Sequence, residues 1–190
     1  MLFIQVVEAS VLDFEINTLQ SGEFLPSTYG GFVWSSDFHL ITEGGFYGNT
    51  PIDFPSYNYA VYNGDGILTS TVTRNSNFDF MGAYFIPWLY QNQIYEWSST
   101  SITMKGYNGN TLVGEVIYSL TDSFAYYAAN FYNINKLELI ASQQERWWLM
   151  DDFTYNASDT GAVPEPATML LLGSGLIGLA GYGRKKFLKK

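Results

Sequence analysis

Between residues 10 and 157 apolar and polar side chains alternate in short runs with a period of two, the repeat of a half-buried strand rather than of a helix. The runs "VLDFEI", "GGFVWS", "YNYAVYN", "ILTSTVT", "NFDFMGAYFI", "SITMKGY", "TLVGEVIYSL", "INKLELIA" and "RWWLMDDFTY" are separated by clusters of Gly, Asn, Asp, Ser and Pro. Turn signals such as Asn63-Gly64-Asp65-Gly66 and Asn108-Gly109-Asn110 lie between them, and the pattern predicts an all-β fold, an antiparallel β-sandwich of jelly-roll type. The stretch "TDSFAYYAANFYN" could form a helical turn, but its Tyr, Phe and Asn favour strand and loop.

Alternation also assigns faces. In the first run Leu12, Phe14 and Ile16 share one side and leave Asp13 and Glu15 on the other. In the last run Trp147, Leu149, Asp151, Phe153 and Tyr155 face one way, and Trp148, Met150 and Asp152 the other. The neighbouring aspartates therefore point apart. One of the two neighbouring tryptophans lies away from the main core, as an exposed platform or under a loop.

After Tyr155 the chain loses its large apolar residues in "NASDTGA"; the body ends near residue 157, and residues 158–163 read as a flexible linker. Thr168–Gly183 is then free of charge. As a helix it is about 24 Å long, short of a bilayer core of about 30 Å. Phe187 and Leu188, with snorkelling lysines, extend it enough for a single C-terminal transmembrane helix.

Charge sharpens this division. Of nine basic residues, Arg184, Lys185, Lys186, Lys189 and Lys190 fall in the last seven positions, whereas residues 1–163 hold four basic against seventeen acidic residues. Such an acidic body excludes nucleic acid as a partner. The basic tail stays on the cytoplasmic side of a membrane, which places the body on the far side. There is no cysteine, and hence no disulfide, thiolate metal site or cysteine nucleophile. At the other end, residues 1–9, "MLFIQVVEA", read either as the remnant of a signal peptide or as a first strand over residues 2–7.

Gly173, Gly175 and Gly178 match G-x-G-x-x-G, but no strand–helix unit surrounds them and the match is accidental. A second pattern is specific. Val163-Pro164-Glu165-Pro166-Ala167-Thr168, an apolar Gly-rich segment and Arg184-Lys185-Lys186 follow one another in order, and together they closely resemble the PEP-CTERM sorting signal of exopolysaccharide-producing Gram-negative bacteria. The resemblance implies export across the inner membrane, a temporary membrane anchor, and processing by exosortase, a membrane-embedded cysteine protease or transpeptidase. Pro164, Glu165 and Pro166 are then its recognition element, and the mature protein goes to the cell surface or extracellular matrix. The two prolines keep this segment extended ahead of the helix, with one carboxylate as a handle.

The body more loosely resembles the jelly-roll domains attached to this signal and certain carbohydrate-binding modules. "LDFE" and "WLMDDFTY" are similar to a module pattern whose first-strand and last-strand carboxylates hold a structural calcium. The resemblance implies Asp13, Glu15, Asp151 and Asp152 as ligands, with Glu15 and Asp152 the favoured pair, since calcium takes hard oxygens. Five Trp and fifteen Tyr suit a sugar-stacking surface, for which Trp147 and Trp148 are candidates. The one histidine, His39, has no Ser or Asp partner at a motif spacing. The sequence therefore predicts a non-catalytic exported envelope or matrix protein that grips glycan or exopolysaccharide. The alternative is a secreted glycan-active hydrolase on the same scaffold.

Overall fold

The computed structural model describes residues 9–42, 53–90 and 93–157. The linker, the sorting signal and the apolar segment lie outside them, as do residues 1–8. Among the described residues no helix is long and apolar enough to cross a membrane.

The chain first lays down β1 (Ser10–Leu12), then a tight hairpin of β2 (Thr28–Tyr29) and β3 (Phe32–Trp34), then β4 (Phe38–Thr42). Gly30 and Gly31 close the hairpin with φ of +60° and +80°, the positive pair that a two-residue turn between twisted strands requires. Next come β5 (Tyr59–Asn63), the 3-10 turn Gly64–Gly66, the long β6 (Thr69–Pro87) and the short pair β7 (Leu89–Tyr90) and β8 (Gln93–Ile94). The hairpin β9 (Ser101–Asn108) and β10 (Thr111–Ser119), the long β11 (Ala125–Ala141) and β12 (Trp148–Ala157) complete the body.

All paired strands are antiparallel, and the main path runs β10-β9-β11-β6-β12-β5-β4. β6 and β11 are long enough to serve two layers. The first residues of β6 pair with β3 and with the end of β11, whereas Phe78–Pro87 pairs with β12 and with the start of β11. The bend comes from irregularities in β11, where Asn130 and Asn133 take φ of +53° and +58° and the register slips between Ala128 and Lys136. Such bulges turn a strand, and Asn tolerates the left-handed region better than most residues. The sheet therefore folds over on itself: β3 and β12 share no ladder, yet the rings of Trp34 and Phe153 lie 5.4 Å apart. The result is a sandwich-like all-β body.

Two ladder rows show how its faces separate. Leu40, Val61, Met150 and Phe85 are register partners across β4, β5, β12 and β6, and all four lie in the aromatic main core with Phe14, Phe32, Phe38, Phe80 and Trp148. One step along, His39, Tyr62, Leu149 and Ile86 form the next row and face the opposite way. Tyr62, Leu149 and Ile86 there belong to a second, smaller cluster that includes Trp88, Trp97 and Trp147.

The predicted faces hold for the first run, since Phe14 is fully buried and Leu12 and Ile16 pack on the core. Phe14 nevertheless has φ +58°, which ends β1 at Leu12. The last run departs from simple alternation. Asp152 takes φ +49°, and the β12–β6 register shifts between Asp151 and Thr154. That extra residue turns Phe153 into the main core beside Trp148 and Met150, instead of leaving it on the side of Trp147 and Leu149.

Candidate functional site

The four carboxylates singled out in the sequence meet at a seam in the sheet. One edge of β12 changes partner there: Leu149 and Met150 pair with β5, and Phe153, Thr154 and Tyr155 pair with β1. Asp151 and Asp152 fall in the gap. Asp151 is fully buried and accepts the backbone N–H of Ser56 at 2.9 Å and that of Asp152 at 2.7 Å. The Ser56 hydroxyl lies 2.9 Å from both Asp151 oxygens and from the Asp13 carbonyl. Glu15 accepts the N–H groups of Asn58 at 2.6 Å and Tyr59 at 3.0 Å. These carboxylates thus take up backbone donors where the ladder is interrupted, as the burial of polar backbone demands.

Burial pushes the Asp151 carboxyl up to about 7, against the lowering effect of its Ser56 and Asp152 donors. Protonated, it can donate to the Ser56 oxygen, whose own hydrogen then turns to the Asp13 carbonyl. Asp152 is also raised, first by burial and then by the charge of Asp13. Tyr29, whose ring stacks on Phe14 at 5.8 Å, is raised by burial and next by Asp13.

Among the described residues no three His, Cys, Asp or Glu side chains are grouped as metal ligands, and Glu15 and Asp151 hold backbone N–H donors. Asp13 and Asp152 are the carboxylates left facing each other's field.

A second site lies on the outer face, over the row of His39 and Tyr62. It is a cavity of about 440 Å³ lined by His39, Tyr62, Asp65, Trp88, Trp97 and Trp147. The three tryptophans come from distant positions and are gathered by one stretch of main chain. The carbonyl of Trp147 accepts the N–H groups of Trp88 at 3.1 Å and Ser99 at 2.8 Å, while the Trp147 N–H donates to the Trp97 carbonyl at 2.9 Å. The Ser98 hydroxyl donates to the Trp88 carbonyl and accepts the N–H of Tyr95. Tyr62 meets the Trp88 ring edge-on at 5.1 Å, and Tyr95 covers Trp97 at 4.5 Å.

The opposite wall is the turn predicted from Asn63-Gly64-Asp65-Gly66. Asn63 is fully buried and ties this turn to β12, donating to the carbonyls of Ile67 and Arg146 and accepting the N–H of Trp148. Asp65 sits at its exposed apex with φ +54°. Gly64 is required because any Cβ there collides with the His39 ring. His39 Nδ1 donates to the Gly22 carbonyl at 3.1 Å, which fixes the ring with its Nε2 side beside Gly64.

The tryptophans thus divide cleanly. Trp34 and Trp148 are core residues, and Trp148 is no glycan platform. Trp147 is the neighbour that faces outward, half-buried in the wall of the cavity. Sequence reasoning missed Trp88, Trp97, Tyr62 and Asp65 as one site because they converge through non-local strand order. Their only sequence signal was the surplus of aromatics. Pro164, Glu165, Pro166, Arg184, Lys185 and Lys186 lie outside the described residues.

Comparison with known proteins gives two kinds of likeness. In solved structures, the fold is similar to that of a DUF4465 family protein from Bacteroides caccae, with 11% identity and a TM-score of 0.54, over 80% of this chain and 100% of that one. It is also similar to the K2 cleaved adhesin domain of Lys-gingipain, with 8% identity and a TM-score of 0.50, over 78% of this chain and 99% of that one. A family 29 carbohydrate binding module from Piromyces equi aligns with a TM-score of 0.44 at 10% identity, over 80% of this chain and 91% of that one. The first two likenesses are of fold. No curated protein matches the sequence. Residues 162–185 match the PEP-CTERM protein-sorting motif; the chain therefore carries that sorting motif together with an all-β antiparallel body.

Proposed function

We propose that the chain is an exported, non-catalytic glycan-binding protein of the cell envelope or extracellular matrix, delivered by exosortase. The sorting motif supports the route: Pro164-Glu165-Pro166 engages the processing enzyme while Thr168–Gly183 spans the inner membrane of a Gram-negative cell. The body is then a jelly-roll-type sandwich released to the surface. Its task rests on one observation, the cavity walled by Trp88, Trp97, Trp147 and Tyr62. Flat aromatic rings beside a few polar groups suit the apolar faces and hydroxyl rims of sugars.

The hydrolase reading has less support at this cavity. Glycoside hydrolysis generally needs two carboxyl groups flanking the bond, and among the described residues lining it Asp65 is the one carboxylate. Titration calorimetry of the full chain against a panel of oligosaccharides tests binding, with Trp97→Ala and Trp147→Ala as variants. Binding lost in both variants, without release of reducing ends, is expected. Absence of binding across the panel, or binding indifferent to both changes, overturns the reading. Intact mass of the protein from its host checks the route, since retention of residues 167–190 excludes processing.

A further inference from the structure

The cavity is rich in negative potential: its indole and phenol rings present π faces, and its described carboxylate is Asp65. No lysine or arginine is among its described lining residues. The four cations of residues 1–163 are engaged elsewhere. Lys105 pairs with Glu115 at 3.3 Å and Lys136 with Glu138 at 3.0 Å. Arg74 lies over the rings of Phe32 and Tyr155, and Arg146 donates to the Glu145 carbonyl. Around them stand seventeen acidic residues, a field that repels polyanions and concentrates cations.

The geometry points to a cationic sugar. We infer that the cavity takes a glycan bearing a free, protonated amine, a hexosamine residue without its acyl group. The ammonium lies against the tryptophan faces, and Asp65 is its counter-ion. Recognition of a cation by a set of aromatic rings needs no formal partner charge. Asp65, on the rim, adds steering and orientation. The same arrangement gives anionic polysaccharides no donor cluster to bind.

This inference rests on the glycan-binding reading and is separable from it. Three β-1,4-linked hexamers differ only at the C2 substituent: glucosamine carries an ammonium, N-acetylglucosamine an amide and cellohexaose a hydroxyl. Titrated into the full chain at a pH that keeps the amine protonated, the glucosamine hexamer is expected to bind on the order of tenfold more tightly than the other two, the scale of one partly desolvated cation–π contact. That advantage should shrink in Asp65→Asn, a change the left-handed backbone at this position tolerates, and in Trp147→Ala. Equal affinity for the three hexamers overturns the cationic preference and leaves glycan binding standing. Tight binding of the glucosamine hexamer that persists in Trp147→Ala reflects diffuse attraction to the acidic surface and also overturns it. Failure of all three to bind removes both.

Discussion

Phe131 is held between two glycines, and this predicts an unusual sign of coupling. Gly106 of β9 and Gly114 of β10 are direct register partners, and the Phe131 ring from β11 covers the pair. A Cβ at Gly106 falls 2.7 Å from Cδ2 of that ring, and one at Gly114 falls 2.7 Å from Cδ1 and Cε1. Carbon atoms settle at about 3.5–4 Å, so either alanine forces the ring to move by roughly 1 Å. Phe131 is 5% exposed, and each glycine blocks its retreat from the other. Overpacking of this kind costs about 1–3 kcal/mol. Neither glycine has a left-handed φ, so alanine by itself recovers about 0.5–1 kcal/mol of backbone entropy. The net expectation is a loss of about 1–2 kcal/mol for Gly106→Ala or Gly114→Ala.

Phe131→Ala alone removes a buried ring and should cost about 3–5 kcal/mol. In that background a methyl at Gly114, whose near neighbours are ring atoms alone, meets empty space, and Gly114→Ala should now stabilise, by about 0.5–1 kcal/mol. The cycle therefore carries a coupling of about 1.5–3 kcal/mol, in the upper range for residues in contact. Urea unfolding of the full chain, followed by tryptophan fluorescence, measures all four corners. A Gly114→Ala change that is neutral in the parent, or equally costly with and without Phe131, refutes the clamp.

Further expectations follow from the seam and the tryptophan pair. A native Asp151 that keeps its proton up to about pH 7, against an ordinary carboxyl when unfolded, makes the folded state bind more protons between these values. Stability should fall as pH rises from about 4 to about 7, by up to about 4 kcal/mol. Denaturant titrations across that range should show this slope in the parent and lose it in Asp151→Asn; a parent without the slope defeats the assignment. Trp148→Ala should cost about 3–5 kcal/mol of stability, whereas Trp147→Ala should cost less and act mainly on ligand affinity, as paired melting curves and titrations will show. Chelator should leave the melting temperature unchanged, because Glu15 and Asp151 already hold N–H donors; a rise on adding calcium restores the calcium expectation for Glu15 and Asp152.

Where strands are regular, the sequence alone conveys their orientation. On β9 the alternation of Ile102, Met104 and Gly106 inward with Lys105 between them could be read directly. The pattern fails where single residues enter the left-handed region, because one extra residue moves everything beyond it to the other face. Asp152, Asn130 and Asn133 do this, and none is a glycine that would have signalled it. "ILTSTVT" and "NFDFMGAYFI" join across polar residues into one strand, since Arg74 lays its guanidinium on Phe32 and Tyr155 instead of marking a loop. The carboxylates of the first and last runs stood out in the sequence, but their part as acceptors for an interrupted ladder depends on Ser56, Asn58 and Tyr59, which no local pattern ties to them. The cavity was out of reach, because Trp88, Trp97 and Trp147 share no local pattern and are brought together by main-chain bonds around Trp147.

The meeting of β1 and β12 also governs when the body can close. Residues emerging from a translocation pore do so in chain order, so the partner of Ser10, which is Tyr155, arrives after nearly the whole domain has passed. Until then β1 has no ladder, Phe14 has no lid, and Ser56 lacks the carboxylate of Asp151 that closes the seam. Topology of this kind, dominated by pairings distant in sequence, folds slowly. On the proposed export route the body therefore stays open to threading until β12 has passed, because no shorter length of chain can close the seam.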